Sequence, residues 1–241
     1  MIVKTQAICI KNTRYGESSV IGKMFTAEHG LGSYLIQGVN RKSSQIKPSH
    51  ISPGNIVELV TYQKPHASIQ RIKELRINTP LLLVHTDMTK SSVLQFILEI
   101  IAKTNEDHLK DEIVFDFLKQ TIIELESTNQ TGNVPLLFLC NYMKYTGWFP
   151  NLELWEEGSV FNLGEGKFES PDVTKIVTNL LPEQSKELYL ILDSLQKNEK
   201  PAIIRSINKK ELFNTLITYY EIHILKGKKI KSPAVLATVL G

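Results

Sequence analysis

The sequence predicts an α+β protein in two parts, a small five-stranded β-barrel over residues 1–79 and a helical part over residues 80–241. Three observations predict it. Residues 1–78 break into five short segments that alternate apolar and polar side chains, separated by turns bearing glycine or proline. Asn78-Thr79-Pro80 ends that pattern, and the apolar period lengthens from two to between three and four. Charge changes at the same place: residues 1–78 carry eleven Lys/Arg against four acids, a net +7, and the remainder carries seventeen against twenty-one, a net −4. Apolar content of 42% and charged content of 22% allow a packed core.

In "IVKTQAICIKN", Val3, Thr5, Ala7 and Cys9 share one face and Lys4, Gln6, Ile8 and Ile10 the other. "SSVIGKMFTAEHG" and "LGSYLIQGV" form a hairpin through Glu28-His29-Gly30, where Gly30 can take a positive φ. "NIVELVTYQ" is a fourth strand introduced by Pro53-Gly54, and "SIQRIKELRI" a fifth after the turn near Lys64-Pro65. Five such strands suit a closed or partly closed barrel. An SH3-like barrel has a similar length, so strand count leaves the barrel type open.

Beyond Pro80, "SSVLQFILEIIAK" places Val93, Phe96, Ile97, Ile100 and Ile101 on one helical stripe. "EIVFDFLKQTIIELE" repeats this with Ile113, Phe117, Thr121 and Leu125, flanked by Val114, Leu118 and Ile122. "NVPLLFLCNYMKYTGW" is a third helix, capped by Asn133, stopped by Gly147 and apolar on nearly every side, which predicts a central position. An irregular stretch at about 149–170 follows. Ser170 and Pro171 then cap and open "SPDVTKIVTNLL". "EQSKELYLILDSLQ", "SINKKELFNTLITYYEIHIL" and "SPAVLATVL" complete the helical part.

Several function classes are disfavoured. No run of about 18 apolar residues exists, which predicts no membrane span. The opening "MIVKTQAICIKN" reads as a strand, not a signal peptide. Cys9 and Cys140 lie in separate apolar runs and fit buried free thiols in a reducing cytoplasm. Two cysteines are too few for a cysteine-dominated zinc site. The histidines at 29, 50, 66, 85, 108 and 223 make no His-x-x-x-His pair, and Asp87, near His85, reads as a helix cap. No Gly-x-Ser-x-Gly elbow is present. "GEGK" at 164–167 lacks the rest of a phosphate-binding loop and reads as a hairpin turn. No catalytic residue and no cofactor is predicted.

Nucleic-acid binding has more support. Phosphates call for cations on loops or edges, and unpaired bases for aromatic faces. Arg14 and Tyr15 precede the second strand, and Tyr34 lies on the third, either as a base contact or as a half-buried barrel residue. Arg41, Lys42 and Lys47 sit in the acid-free loop "QGVNRKSSQIKPSH". Arg71 and Lys73 share a strand face, and Arg76 follows. A second cluster has Lys209-Lys210, then Lys226, Lys228, Lys229 and Lys231 in "LKGKKIKSP". A helix dipole accounts for Lys226 and Lys228. Four lysines in six residues point further, to an accessory contact with a nucleic-acid backbone.

At this point the order of motifs becomes recognisable. "RYGESSVIGKMFTAEHGLGSYLIQGVNRKSS" resembles the opening of the bacterial DNA repair protein RecO family, with Tyr15-Gly16-Glu17, the turn from Thr26 to Gly30, and Gly38 to Lys42 with Ser43 or Ser44 in place. "LFLCNYMKYTGWFPNLELW" is similar to that family's central helix and Gly-aromatic-x-Pro-x-Leu element, and "TYYEIHILKGKKIKSPAVLATVL" to its close. Many members carry cysteines of a zinc-ribbon-like module after the Pro-x-Leu element. Here Trp155 and Glu156 stand about where the first ligand would be. The resemblance therefore predicts a metal-free hairpin held by Trp155, Val160, Phe161 and Phe168.

The resemblance implies an N-terminal OB-fold and a helical domain bearing that insertion. It implies a non-enzymatic recombination mediator, cytoplasmic and nucleoid-associated, that binds single- and double-stranded DNA and anneals complementary strands. With RecR it would help load RecA onto strands coated by single-stranded DNA-binding protein (SSB). Its helical part would recognise the C-terminal tail of SSB, with Lys144 and Tyr145 as candidate contacts. The competing readings are a protein-interaction scaffold whose barrel binds RNA or nothing, and a DNA nuclease.

Overall fold

The computed structural model describes residues 1–39, 41, 44–64, 67–171, 180–201 and 206–240. Five strands come first: β1 (Ile2–Tyr15), β2 (Ser19–Thr26), β3 (Gly30–Ile36), β4 (Ile56–Tyr62) and β5 (Ile69–Thr79). They close into a barrel in the order β1-β2-β3-β5-β4. The β3–β5 pair is parallel and the other four are antiparallel. This is the arrangement of an OB-fold, which decides the barrel type that strand count left open. The long β1 serves two partners: residues 2–8 pair with β4 and residues 7–15 with β2, with a register shift between Cys9 and Lys11.

Strand alternation puts Ala7, Cys9, Met24, Tyr34, Ile36, Val57, Leu59, Ile72 and Leu75 inside the barrel. The predicted second face of β1 is not solvated throughout. Ile8 and Ile10 are also buried, and Ile8 pairs with Phe25, whose ring lies 6.1 Å from that of Phe115. Helices cover that flank of the barrel, so one stretch of sheet is apolar on both sides. Each such side chain stabilises the fold by about 1.5–3 kcal/mol.

The helices are α1 (Leu83–Thr86), α2 (Met88–Thr104), α3 (Glu112–Ser127) and α4 (Val134–Thr146); after the hairpin β6 (Val160–Asn162) and β7 (Lys167–Glu169) come α5 (Pro182–Gln196), α6 (Ser206–Tyr219) and α7 (Ser232–Leu240). Asp87 caps α2 by accepting from Lys90 N–H at 2.9 Å. Gly147 ends α4 in the left-handed conformation, φ 75°. Asn133 precedes α4 but makes no side-chain capping bond. The helix expected after Ser170 and Pro171 lies outside the described residues. The stripe of α3 also differs from expectation: Val114, Phe115, Leu118, Ile122 and Leu125 are buried, and Ile113 is 69% exposed. A strict four-residue step drifts about 40° per step around a helix, so Ile113 has rotated off the face that Leu125 occupies.

Compactness groups residues 1–131 with 232–241 in one unit and residues 132–231 in another. In the first, the barrel ends at Thr79 where the apolar period changes, and α1–α3 and α7 accompany it. The Glu126 carboxylate on α3 accepts from the N–H groups of Leu82, Leu83 and Val84, each at 2.9 Å. Burial opposes its charge, but these bonds and the Lys90 ammonium hold its pKa below the usual carboxylate value. In the second unit, Tyr220, the residue after α6, donates from its hydroxyl to Leu139 carbonyl on α4 at 2.7 Å, and Phe161 and Phe168 pair across the hairpin with rings 5.2 Å apart. Cys9 and Cys140 are buried free thiols, each pushed up to about 12 by desolvation.

Gly30 is where the barrel meets the segment before α3. Its φ is 63°, and an added Cβ would stand 1.9 Å from Leu109 carbonyl oxygen. Gly16 has a similar φ of 68° but open space around it. Gly16→Ala should therefore cost only the left-handed backbone penalty, about 1–2 kcal/mol. Gly30→Ala should cost more and lower the denaturant midpoint further; equal midpoints for the two variants would contradict this packing.

Candidate nucleic-acid interface

Sheet register brings the predicted cations of the barrel to its outer surface. Arg71 on β5 stands opposite Tyr62 on β4 and beside Leu35 on β3. Lys73 shares its face two residues on and lies 3.5 Å from Glu74. Arg76 pairs in register with Glu58, whose carboxylate is 3.2 Å from Lys4. Arg14, near the end of β1, donates from Nε to Gly16 carbonyl at 3.4 Å. All of these residues except Leu35 are exposed or, for Glu58, half-buried.

The loop after β3 is partly ordered by its own backbone. Arg41 N–H donates to Gly38 carbonyl at 2.9 Å, and Ser44 N–H to Arg41 carbonyl at 3.0 Å. Gly38 turns the chain with φ 72°, which leaves the Arg41 side chain exposed. Lys47 is exposed at the start of a short 3-10 turn, Pro48–Ile51. Lys42 lies outside the described residues.

Tyr34 corrects an expectation. The sequence left it open as a base contact or a half-buried barrel residue, and at 1% exposed it belongs to the barrel core and offers no base contact. Its partner across the seam is Gln70, also buried, so both point inward. Burial raises its pKa, with bonds to Thr26 and Gln63 acting the other way. Tyr15, 56% exposed, lies next to Arg14, and the aromatic ring opposite Arg71 is Tyr62, 38% exposed. The signal for it was the phase of "IVELVTY": Val57, Leu59 and Thr61 point inward, so Tyr62 must point outward.

Not every surface cation is available. Lys23, on the outer face of β2, is engaged by the Asp107 carboxylate. A cleft of about 320 Å³ in the same unit is lined by Lys4 and by four acids, Glu28, Glu58, Glu112 and Asp116, and this excess of acid does not suit a polyanion. In the second unit, Lys229 lies 2.6 Å from the Glu221 carboxylate, which also accepts from Ile230 N–H at 3.0 Å. Lys226 and Lys228 are exposed, Lys226 with φ 50° in the turn; Lys231 is exposed as well. Lys144 donates to Leu195 carbonyl, and burial lowers its pKa, so its ammonium is engaged at the end of α5. Tyr145 remains 37% exposed.

Among the described residues, no three His, Cys, Asp or Glu side chains gather as a metal site, and no helix is long and apolar enough to cross a membrane. "GEGK" is the turn between β6 and β7. Asn162 Oδ1 accepts from the N–H groups of Gly164 and Glu165 at 2.9 and 3.1 Å, so these donors are already engaged. Trp155, expected to help hold the hairpin, stacks on Tyr189 with ring centres 4.1 Å apart.

Comparison with known proteins adds identity to this geometry. Residues 1–80 match the family model "Recombination protein O N terminal", and residues 85–154 match "Recombination protein O C terminal". The chain is similar to the DNA repair protein RecO of Flavobacterium psychrophilum, 32% identical over 240 residues and 99% of both chains. It is 30% identical to that of Flavobacterium johnsoniae over 99% of both, and 26% identical to that of Christiangramia forsetii over 100% of both.

The two neighbouring lysines of the terminal turn should separate by role. Lys228→Ala should leave the unfolding midpoint nearly unchanged, within about 0.5 kcal/mol. Lys229→Ala leaves the largely buried Glu221 carboxylate without its cation and should cost about 1 kcal/mol. Indistinguishable urea unfolding curves would show that the Lys229 pair contributes nothing.

Proposed function

The chain belongs to the recombination protein O family of DNA repair proteins, and on that premise we propose that it is a non-enzymatic recombination mediator whose barrel binds DNA. One observation carries the binding step: a barrel segment of net charge +7 holds Arg14, Arg41, Arg71 and Arg76 on its exterior, none in an ion pair with a described acid. A polyanion is the partner that such a surface attracts. Phosphate contacts of this kind do not depend on sequence, so both single and double strands bind. Holding two complementary strands by their backbones leaves their bases free to pair, and this is the physical basis of annealing.

The remaining steps are assigned to partners. RecR acts with the chain to load RecA onto SSB-coated strands. The helical part takes the acidic, apolar C-terminal tail of SSB, with exposed Tyr145 as an apolar contact and Lys226, Lys228 and Lys231 as accessory cations for DNA. Lys144, engaged by Leu195, is the weaker of the two tail candidates.

The double variant R41A/K42A should weaken DNA binding and flatten the dependence of log affinity on log salt by about 0.7–0.9 per lost phosphate contact, with unchanged stability. An unchanged slope would make the loop a connector only. Titration with an SSB tail peptide should show saturable binding that is lost when its terminal residues are removed. Equal binding of both peptides would count against tail recognition.

A further inference from the structure

The barrel exterior carries a row that its cations alone do not explain. In sheet register, Thr13, Ile21, Leu35, Arg71, Tyr62 and Ile2 follow one another from strand to strand. Residues directly opposed in neighbouring strands project from the same face. Tyr62 is 38% exposed and Ile2 56%. Ile69, 43% exposed, adds to the row from two positions before Arg71 on β5. The result is an aliphatic and aromatic stripe with one guanidinium in it and no acid.

The chemistry of this stripe selects among ligands. Duplex DNA presents phosphates and hides its base faces; a single strand presents both. A tyrosine beside an arginine serves a strand whose base stacks on the ring while the adjoining phosphate meets the guanidinium. Lys11 and Arg14 on β1 flank the stripe at its Thr13 end and Lys73 on β5 is paired with Glu74, so the charge that a polyanion requires and a neutral protein face does not comes from Lys11, Arg14 and Arg71. Arg71 makes no ion pair with a described residue, so it is not neutralised from within.

We propose that this row is a base-binding track for unpaired nucleotides, with Tyr62 as the ring on which a base stacks and Arg71 as the holder of its phosphate. The proposal rests on the nucleic-acid reading above and adds to it the side chain that tells single from double strands. The four arginines supply attraction to either form; Tyr62 supplies contact that only an unstacked base can use.

The test uses the full chain with an oligothymidylate of about 16 nucleotides, the upper site size of one OB barrel, and a hairpin duplex with the same number of phosphates. Tyr62→Ala should weaken strand binding about tenfold at an unchanged salt slope and leave duplex binding within about twofold, while Tyr62→Phe retains both. In a second measurement, a strand carrying one 5-iodouracil should photo-cross-link to Tyr62 of the unaltered chain, read by mass spectrometry. Unchanged strand binding by Tyr62→Ala, or cross-links that avoid Tyr62, overturns the track and leaves the stripe as a surface for a protein. Equal loss on strand and duplex also overturns it. An unaltered chain that binds neither ligand overturns the parent reading instead.

Discussion

The barrel must close between β3 and β5, and everything on its exterior depends on that seam. The seam is short: Ser33, Tyr34 and Leu35 pair in parallel with Ile69, Gln70 and Arg71. Two of these six residues, Tyr34 and Gln70, are buried, and they lock the seam from inside. Gln70 has its amide fully used. Its oxygen accepts from Lys64 N–H at 2.9 Å, and its nitrogen donates to the carbonyls of Lys64 and Ala67 at 3.0 Å each. A buried amide so satisfied fixes the loop that leads into β5, and with it the position of Arg71. Without that closure, Leu35 and Tyr62 would not be neighbours of the same arginine.

The rest of the barrel surface is divided by what covers it. On one flank Phe25 packs against Phe115, and Asp107 reaches Lys23 while His108 N–H donates to Leu31 carbonyl at 2.7 Å. The helices of the first unit thus consume the part of the sheet exterior that is most apolar, and one acid neutralises the lysine beside it. The row through Arg71 and Tyr62 has no such cover among the described residues of its unit. Position in the sheet separates a helix-covered flank from the exposed one that bears the proposed ligand site.

Much of this was legible from residue order, and the losses have physical causes. Alternation showed five strands, and the turn residues showed their limits, because the pleat and φ > 0 leave marks within a few residues. Alternation gives two faces but does not say which encloses the core. For β3 the inward face holds the aromatic Tyr34, and a tyrosine is as common on a half-exposed strand as in a core. Only closure against Gln70 settles it. The exposure of Ile113 and the burial of Ile8 have a similar origin: each depends on how a helix docks, and docking is not written in the period of either element. Lys144 failed as a free cation because Leu195, 51 residues away, ends its helix at the lysine's reach.

The ion pairs separate lysine from arginine on the barrel exterior. Every described pair that involves the barrel segment uses lysine: Lys4 with Glu58, Lys23 with Asp107, Lys73 with Glu74 and Lys110 with Glu28. All four arginines described, at 14, 41, 71 and 76, lie in the same segment, and none pairs with a described acid. Lysine is a compact charge that a single surface carboxylate satisfies, at little gain in stability. Arginine is planar, weakly hydrated and able to donate two parallel bonds to a phosphate or to lie flat on a ring. Acids therefore quiet Lys4, Lys23 and Lys73 and leave exposed the cation type best shaped for a nucleic-acid backbone. That division of labour, more than the net charge of +7, is what the proposed strand-binding role of the barrel rests on.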